Sequence, residues 1–124
     1  GPHPNPHRYQ LFEALLKRKK VIPLPGRPGA PIDVSYCPDC DLLTDAEFEV
    51  CCVLRLTPQQ YFASRKTLVE NHRNYGFYRK SAAQKMLKID VNKTGKLYDF
   101  FRENGWLPRD ENDKNYQDPE DISV

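Results

Sequence analysis

Cysteine is the residue type with the widest chemical scope in this chain. Cys37-Pro38-Asp39-Cys40 has the CxxC spacing of a zinc knuckle, and Cys51-Cys52 could finish a set of four thiolates. Zinc takes four donors on a tetrahedron, whereas neighbours in a helix point about 100° apart, so Cys51 and Cys52 cannot easily reach one ion. No second CxxC and no well-spaced histidine pair is present. A proline turn with one or two half-buried thiols is the simpler reading. Zinc at Cys37 and Cys40 stays open, and no metal or other cofactor is expected. A redox CxxC would need a βαβ surround that the pattern lacks. With no signal peptide in view, four cysteines, two of them adjacent, point to a reducing compartment rather than a disulfide framework.

Catalytic constellations are missing. His3 and His7 lie in a proline-rich tail and His72 falls at a helix end; no glycine-rich phosphate loop, nucleophile elbow or paired carboxylates in a cleft can be assembled. The chain is expected not to be an enzyme. No apolar run approaches the ~20 residues a membrane-spanning helix needs, so no membrane partner is expected.

The remaining chemistry is basic. Net charge is only +2, but it is unevenly spread. Residues 1–32 hold six basic residues against Glu13, residues 33–50 six acidic and no basic ones, and residues 58–107 ten basic against four acidic. From Pro108 onward there are six acidic and two basic. A basic C-terminal half flanked by acid points to a polyanionic partner.

The elements that must position these charges follow from periodicity and caps. Residues 1–7 are too proline-rich to order themselves, and the opening Gly1-Pro2, without an initiator methionine, looks like a cleavage scar on an excised piece. Arg8 to Lys20 reads as an amphipathic helix with Leu11, Phe12, Leu15 and Leu16 as its stripe, which should pack on the domain. Its closing Lys17-Arg18-Lys19-Lys20 suits the helix dipole and reads as a solvated end. Val21 to Pro38, with five prolines, reads as a linker that drapes over the domain through Ile32, Val34 and Tyr36. Thr44 and Glu47 spell a capping box for a helix to about Arg55, stapled by Leu43 onto Phe48. Thr57-Pro58 opens a third helix to about His72 or Arg73, with Tyr61, Phe62, Leu68 and Val69 inward.

Ser81 is placed to cap a helix from Ala82 to about Ile89, and Asp90 to cap the next, from Val91 to Asn104, with Gly105 past its end. The turn between them has the length a helix-turn-helix uses. At 100° per residue Val91, Thr94, Leu97, Tyr98 and Phe101 gather inward, and Asn92, Gly95, Lys96, Asp99, Arg102 and Glu103 outward. A recognition helix docks by its N-terminal turns, and here those hold Asn92, Lys93 and Lys96, with Lys85, Lys88, Arg79 and Lys80 nearby. Asparagine and lysine contact bases or phosphates. Asp90 and Asp99 dilute the charge, so a nucleic-acid binder and a protein-docking module with a solvated basic face both stay open.

The run LLTDAEFEVCCVLRLTPQQYFASRKTLVENHRNYG, then KSAAQKMLKIDVNKTGKLYDFFRENGWL, resembles the SWIRM domain of chromatin proteins. The likeness is to the form in the transcriptional adaptor subunit of SAGA-type histone acetyltransferase complexes and in related fungal chromatin proteins. It covers roughly Asp41 to Leu107. Its most specific part is KIDVNKTGKLYDFFRENGWL, through Ile89, Asp90, Val91, Lys93, Lys96, Phe100 or Phe101, and Trp106; LRLTPQQYF is a second match.

The resemblance implies an all-α fold, a small orthogonal helical bundle with a helix-turn-helix-like half, here preceded by an extra N-terminal helix. It implies no catalytic activity and a DNA-contacting surface at Lys88, Asn92, Lys93 and Lys96, extended by Lys85 and Arg102. The expected organisation is an N-terminal helix and linker over 1–40, the SWIRM domain over 41–108 and an acidic flexible tail over 109–124. The expected function is a nuclear, non-catalytic chromatin module that binds double-stranded DNA or nucleosomes within a histone-modifying or transcription-regulatory complex. The alternative is a scaffold joining subunits of such a complex without touching DNA. The isolated piece is expected to be a monomer.

Overall fold

The computed structural model describes residues 5–19 and 30–119. Among the described residues five α-helices follow one another: α1 (Pro6–Arg18), α2 (Asp45–Leu54), α3 (Pro58–Tyr75), α4 (Lys80–Met86) and α5 (Val91–Glu103), with a 3-10 turn at Cys40–Leu42. Among the described residues there is no strand, so the chain is all-helical as its periodicity implied. It divides into two compact units after Phe62, inside α3. Of the expected linker, residues 21–29 lie outside the described residues, as do residues 1–4 and 120–124 and Lys20 of the basic run.

In the first unit α1 begins at Pro6, earlier than the expected Arg8, because proline suits the first helical position and the Asn5 side chain accepts from the Arg8 N–H at 3.1 Å. The expectation that this helix packs on the domain holds within its unit: α1 lies against α2. Arg8 is the anchor. Only 8% exposed, it donates to the Leu43 carbonyl at 2.5 Å and the Thr44 carbonyl at 3.2 Å, and its guanidinium lies 5.2 Å from the Phe48 ring centre. At the other end Arg18 pairs with Glu49 at 3.0 Å, and Leu15 is buried between.

Residues 30–36 do more than drape. The Ile32 N–H donates to the Cys52 carbonyl at 3.0 Å and Arg55 Nη1 to the Ala30 carbonyl at 2.6 Å. Val34 is fully buried while Tyr36 stands 65% exposed. The segment looked like linker because its prolines remove local hydrogen bonds; α2 supplies the missing partners.

Both limbs of the α2 capping box form, Thr44 Oγ1 accepting from the Glu47 N–H and Glu47 Oε1 from the Thr44 N–H. α2 ends at Arg55, in the left-handed region at φ 58°, which lets the Leu56 N–H reach the Cys51 carbonyl at 3.0 Å. α3 opens with the same reciprocal device, between Thr57 and Gln60. Phe62, expected in the core, is half-buried, as is Trp106.

In the second unit Leu68, Val69, Ala83, Leu97, Tyr98, Phe101 and Leu107 are buried. Two tyrosines tie α3, the 76–79 connection and α5: Tyr78 donates its hydroxyl to the Leu68 carbonyl at 2.7 Å, and Tyr98 to the Tyr78 carbonyl at 2.8 Å. Burial raises both phenol pKa values. Phe100, Phe101 and Trp106 form a ring cluster, and the Arg65 guanidinium lies 5.6 Å from the Trp106 ring centre.

Residues 109–119 make contacts that their acidic composition did not suggest. Arg73 pairs with Asp118 through two guanidinium nitrogens, His72 meets Tyr116 edge-on at 4.6 Å, and the Gln117 N–H donates to the Gly105 carbonyl at 2.5 Å. Desolvation holds the His72 pKa below its ordinary value, against the opposing pull of Asp118.

Candidate nucleic-acid interface

α4 and α5 pack on one another, joined by Leu87, Lys88, Ile89 and Asp90. α4 starts one residue before Ser81 and ends at Met86 rather than near Ile89; Leu87 is already extended, at φ −107° and ψ 153°. The early stop frees Asp90 to cap α5, where its carboxylate accepts from the N–H groups of Asn92 at 2.9 Å and Lys93 at 3.2 Å. Asp90 is therefore engaged with the helix end, not simply a charge opposing the lysines.

The far end of α5 closes in a Schellman motif. Gly105 takes φ 76°, its N–H reaches the Arg102 carbonyl at 3.0 Å, and the Trp106 N–H reaches the Phe101 carbonyl at 2.9 Å. Both ends of the helix are thus fixed by local chemistry, and its rotation is fixed by buried Thr94, Leu97, Tyr98 and Phe101.

Two positions depart from the helical-wheel expectation. Val91, placed on the inner stripe, is 52% exposed at the first helical position. Gly95, placed on the outer face, is buried against α4. A Cβ there would lie 3.1 Å from Gln84 Nε2 and 3.4 Å from Lys80 Cδ, so the missing side chain makes room for two polar side chains of α4. Those side chains fasten the pair: Gln84 Nε2 donates to the Val91 carbonyl at 3.1 Å, and Lys80 Nζ pairs with Asp99 at 2.9 Å. Asp99 neutralises Lys80 rather than the lysines of the first turn.

What remains outward at the start of α5 is Asn92 and Lys96, both exposed, with Lys93 half-buried beside them. Lys88, in the turn, and Lys85, in the last turn of α4, are exposed too. These five come from one short stretch that brackets the capped helix end. Arg102 is not among them. It sits near the opposite end of α5, 5.4 Å from the Tyr98 ring centre, with Nη2 donating to the Arg109 carbonyl at 3.1 Å and Nε buried without a hydrogen-bond partner among the described residues. Ten residues at 1.5 Å each separate it by roughly 15 Å from Asn92 along the axis.

Comparison with known proteins decides the family. The model of the SWIRM domain matches residues 31–108. The chain belongs to the SWIRM domain family. It is 42% identical over 78 residues to transcriptional adapter 2 of Candida albicans, covering 62% of this chain and 18% of that protein. It is 40% identical over 72 residues to transcriptional adapter 2A of Drosophila melanogaster, covering 58% and 13%. It is 32% identical over 101 residues to the SWIRM domain-containing protein laf1 of Schizosaccharomyces pombe, covering 77% and 34%. The chain therefore spans only a small part of these relatives.

The SWIRM match takes in α2 to α5 and the packed segment before α2, and leaves α1 outside. It also takes in all four cysteines. Cys40, Cys51 and Cys52 are buried and Cys37 is half-buried. Desolvation dominates the titration of the three buried thiols: it raises the Cys40 pKa, pushes Cys52 up to about 12 and Cys51 higher still. Thiols so protonated act as small apolar core groups. Among the described residues no group of three or more His, Cys, Asp or Glu side chains could hold a metal ion. Among them too, no helix is long and apolar enough to cross a membrane.

Proposed function

We propose that this SWIRM domain is a nuclear, non-catalytic module of a transcription-regulatory or histone-modifying complex, and that it binds double-stranded DNA or nucleosomes through the start of α5. The observation that carries the reading is the joint exposure of Asn92, Lys96, Lys88 and Lys85, with Lys93 beside them, around a helix N-terminus whose own amides are already capped by Asp90. The four-residue turn between α4 and α5 is the length a helix-turn-helix uses, and its second helix reads a major groove by such N-terminal residues. Lysines there neutralise phosphates, and Asn92 is the one side chain among them suited to a base edge. Arg102, implied by family likeness, contributes through the fold of the helix end instead of by contact.

A footprint of about four phosphates loses roughly a hundredfold in affinity between ~50 and ~200 mM salt. Titrating a 20-base-pair duplex, a length of about two helical turns, at those two salt concentrations should therefore give a steep decline. Lys93→Glu combined with Lys96→Glu should abolish binding while leaving the melting temperature within about 3 °C of the parent, as surface changes do. Retained binding in that variant sinks the assignment.

A scaffold role is the second reading. Its support is that Lys80 is already paired with Asp99, which thins the basic face, and that relatives are named transcriptional adapters. It predicts capture of complex subunits by a domain that shows no salt-sensitive affinity for duplex.

A further inference from the structure

Three large apolar side chains of the first unit stand in solvent: Tyr9 at 42%, Tyr36 at 65% and Leu42 at 69% exposure. They are not scattered. Tyr9 bonds to Glu13 one turn along α1, with Asp33 and Tyr36 in its neighbourhood. Tyr36 is followed directly by a cavity of about 400 Å³, lined by Asn5, Cys37, Pro38, Asp39 and Asp41, with Leu42 on its wall. That volume accepts a long side chain. Exposed apolar groups rimmed by polar ones mark interaction surfaces.

Two carboxylates line the cavity. Of the six acidic residues in 33–50, these are Asp39 and Asp41, whereas Asp45 pairs with Arg8 and His7, Glu49 pairs with Arg18, and buried Glu47 bonds to Tyr61. The cation nearest in sequence on α1, Arg8, is buried under Phe48 and bonded to carbonyls. Asp41 accepts from Asn5 at 3.0 Å, which orients its carboxylate at the cavity wall, and Asp39 is exposed beside it.

We propose that this groove docks an extended lysine- or arginine-rich segment of a partner protein. One cation enters the cavity between Asp39 and Asp41, with its methylene stem along Leu42. A second lies against the Tyr9 and Tyr36 rings, where Glu13 and Asp33 add charge. Nucleic acid and acidic segments are repelled by the same carboxylates. Tyr9 and Glu13 of α1 and its N-cap Asn5 lie outside the matched residues 31–108, whereas the rest of the cavity lining lies inside them, so α1 completes a groove begun by the family's own residues. It shares no residue with the α5 face and does not rest on the DNA reading.

The test is fluorescence anisotropy on the whole chain. The probes are labelled peptides of about twelve residues, ~40 Å when extended, one of alternating lysine and serine and one of alternating glutamate and serine. With the α5 face switched off by Lys93→Glu and Lys96→Glu, only the lysine peptide should bind at low salt. Asp39→Asn with Leu42→Ser should weaken it at least about fivefold, as should Tyr36→Ala alone, with unchanged thermal melts; asparagine tolerates the left-handed φ of 67° at position 39. Lys93→Glu with Lys96→Glu should leave lysine-peptide binding unchanged, which separates this groove from the DNA reading. Absence of lysine-peptide binding, equal binding of both peptides by the Lys93→Glu, Lys96→Glu variant, or full lysine-peptide binding by the folded groove variants overturns the proposal. So does a parent that sediments as a dimer and becomes monomeric on these substitutions, since a second copy would then be the occupant.

Discussion

Phe101→Ala is expected to lower stability by about 3–5 kcal/mol, the usual cost of emptying a closed aromatic site. Phe101 is fully buried, and its ring meets those of Phe100 and Trp106 with centroids 5.9 Å away in each case. Its carbonyl also accepts the Trp106 N–H that closes α5. The substitution thus removes the side chain that fixes the rotation of α5 and leaves its ring neighbours facing a void. A shift of roughly 10–20 °C in Tm follows for a domain of this size, read by circular dichroism. Phe101→Leu, which keeps most of the volume, should recover more than half of the loss. If alanine costs less than about 1 kcal/mol, the site collapses freely and α5 is held elsewhere.

Glu47→Ala should cost about 2–4 kcal/mol, through polar satisfaction rather than volume. Glu47 is 2% exposed, and its two carboxylate oxygens serve two donors. Oε1 accepts the Thr44 N–H at 3.0 Å, and Oε2 accepts the Tyr61 hydroxyl at 2.5 Å. Tyr61 is itself fully buried, so alanine removes an acceptor from a hydroxyl in the interior and unmakes half of the capping box. Glu47→Gln keeps the carbonyl for Thr44 and turns an amide toward Tyr61, which can accept, so about 1 kcal/mol is expected. A double-mutant cycle with Tyr61→Phe should give a coupling of about 1–2 kcal/mol. Strict additivity would mean the pair does not interact.

The parts legible in the sequence were those settled within one turn of chain. Thr44 with Glu47, Thr57-Pro58, Asp90 and Gly105 each announce a helix end by bonds to residues two to four away, and each does so in the structure. What escaped reading depends on distant partners. Val34 sits in a proline-rich run with nothing local to order it, and is buried because Cys52 and Arg55 bond its neighbours. Gly95 was placed outward by angle alone, whereas the polar arms of Lys80 and Gln84 cover it. The stop of α4 at Met86 has no local signal, since Leu87 and Ile89 continue an apolar pattern. At the candidate interface, chain order alone brought Lys85, Lys88, Asn92, Lys93 and Lys96 together. Arg102 entered through the family likeness, and no local signal showed that its guanidinium turns to Tyr98 and the Arg109 carbonyl at the far end of α5.

Arg8 bears on how this protein should be cut. Residue 31, where the family match begins, is the natural place to start a shorter fragment. Such a fragment would lose the guanidinium that covers Phe48 and bonds the Leu43 and Thr44 carbonyls, and would bare the side of α2 that Leu15 shares. The expected product is a sticky fragment that collects in inclusion bodies, whereas one beginning at Asn5 stays in solution. For this chain the useful boundary of the fold lies some two dozen residues ahead of the boundary of the family.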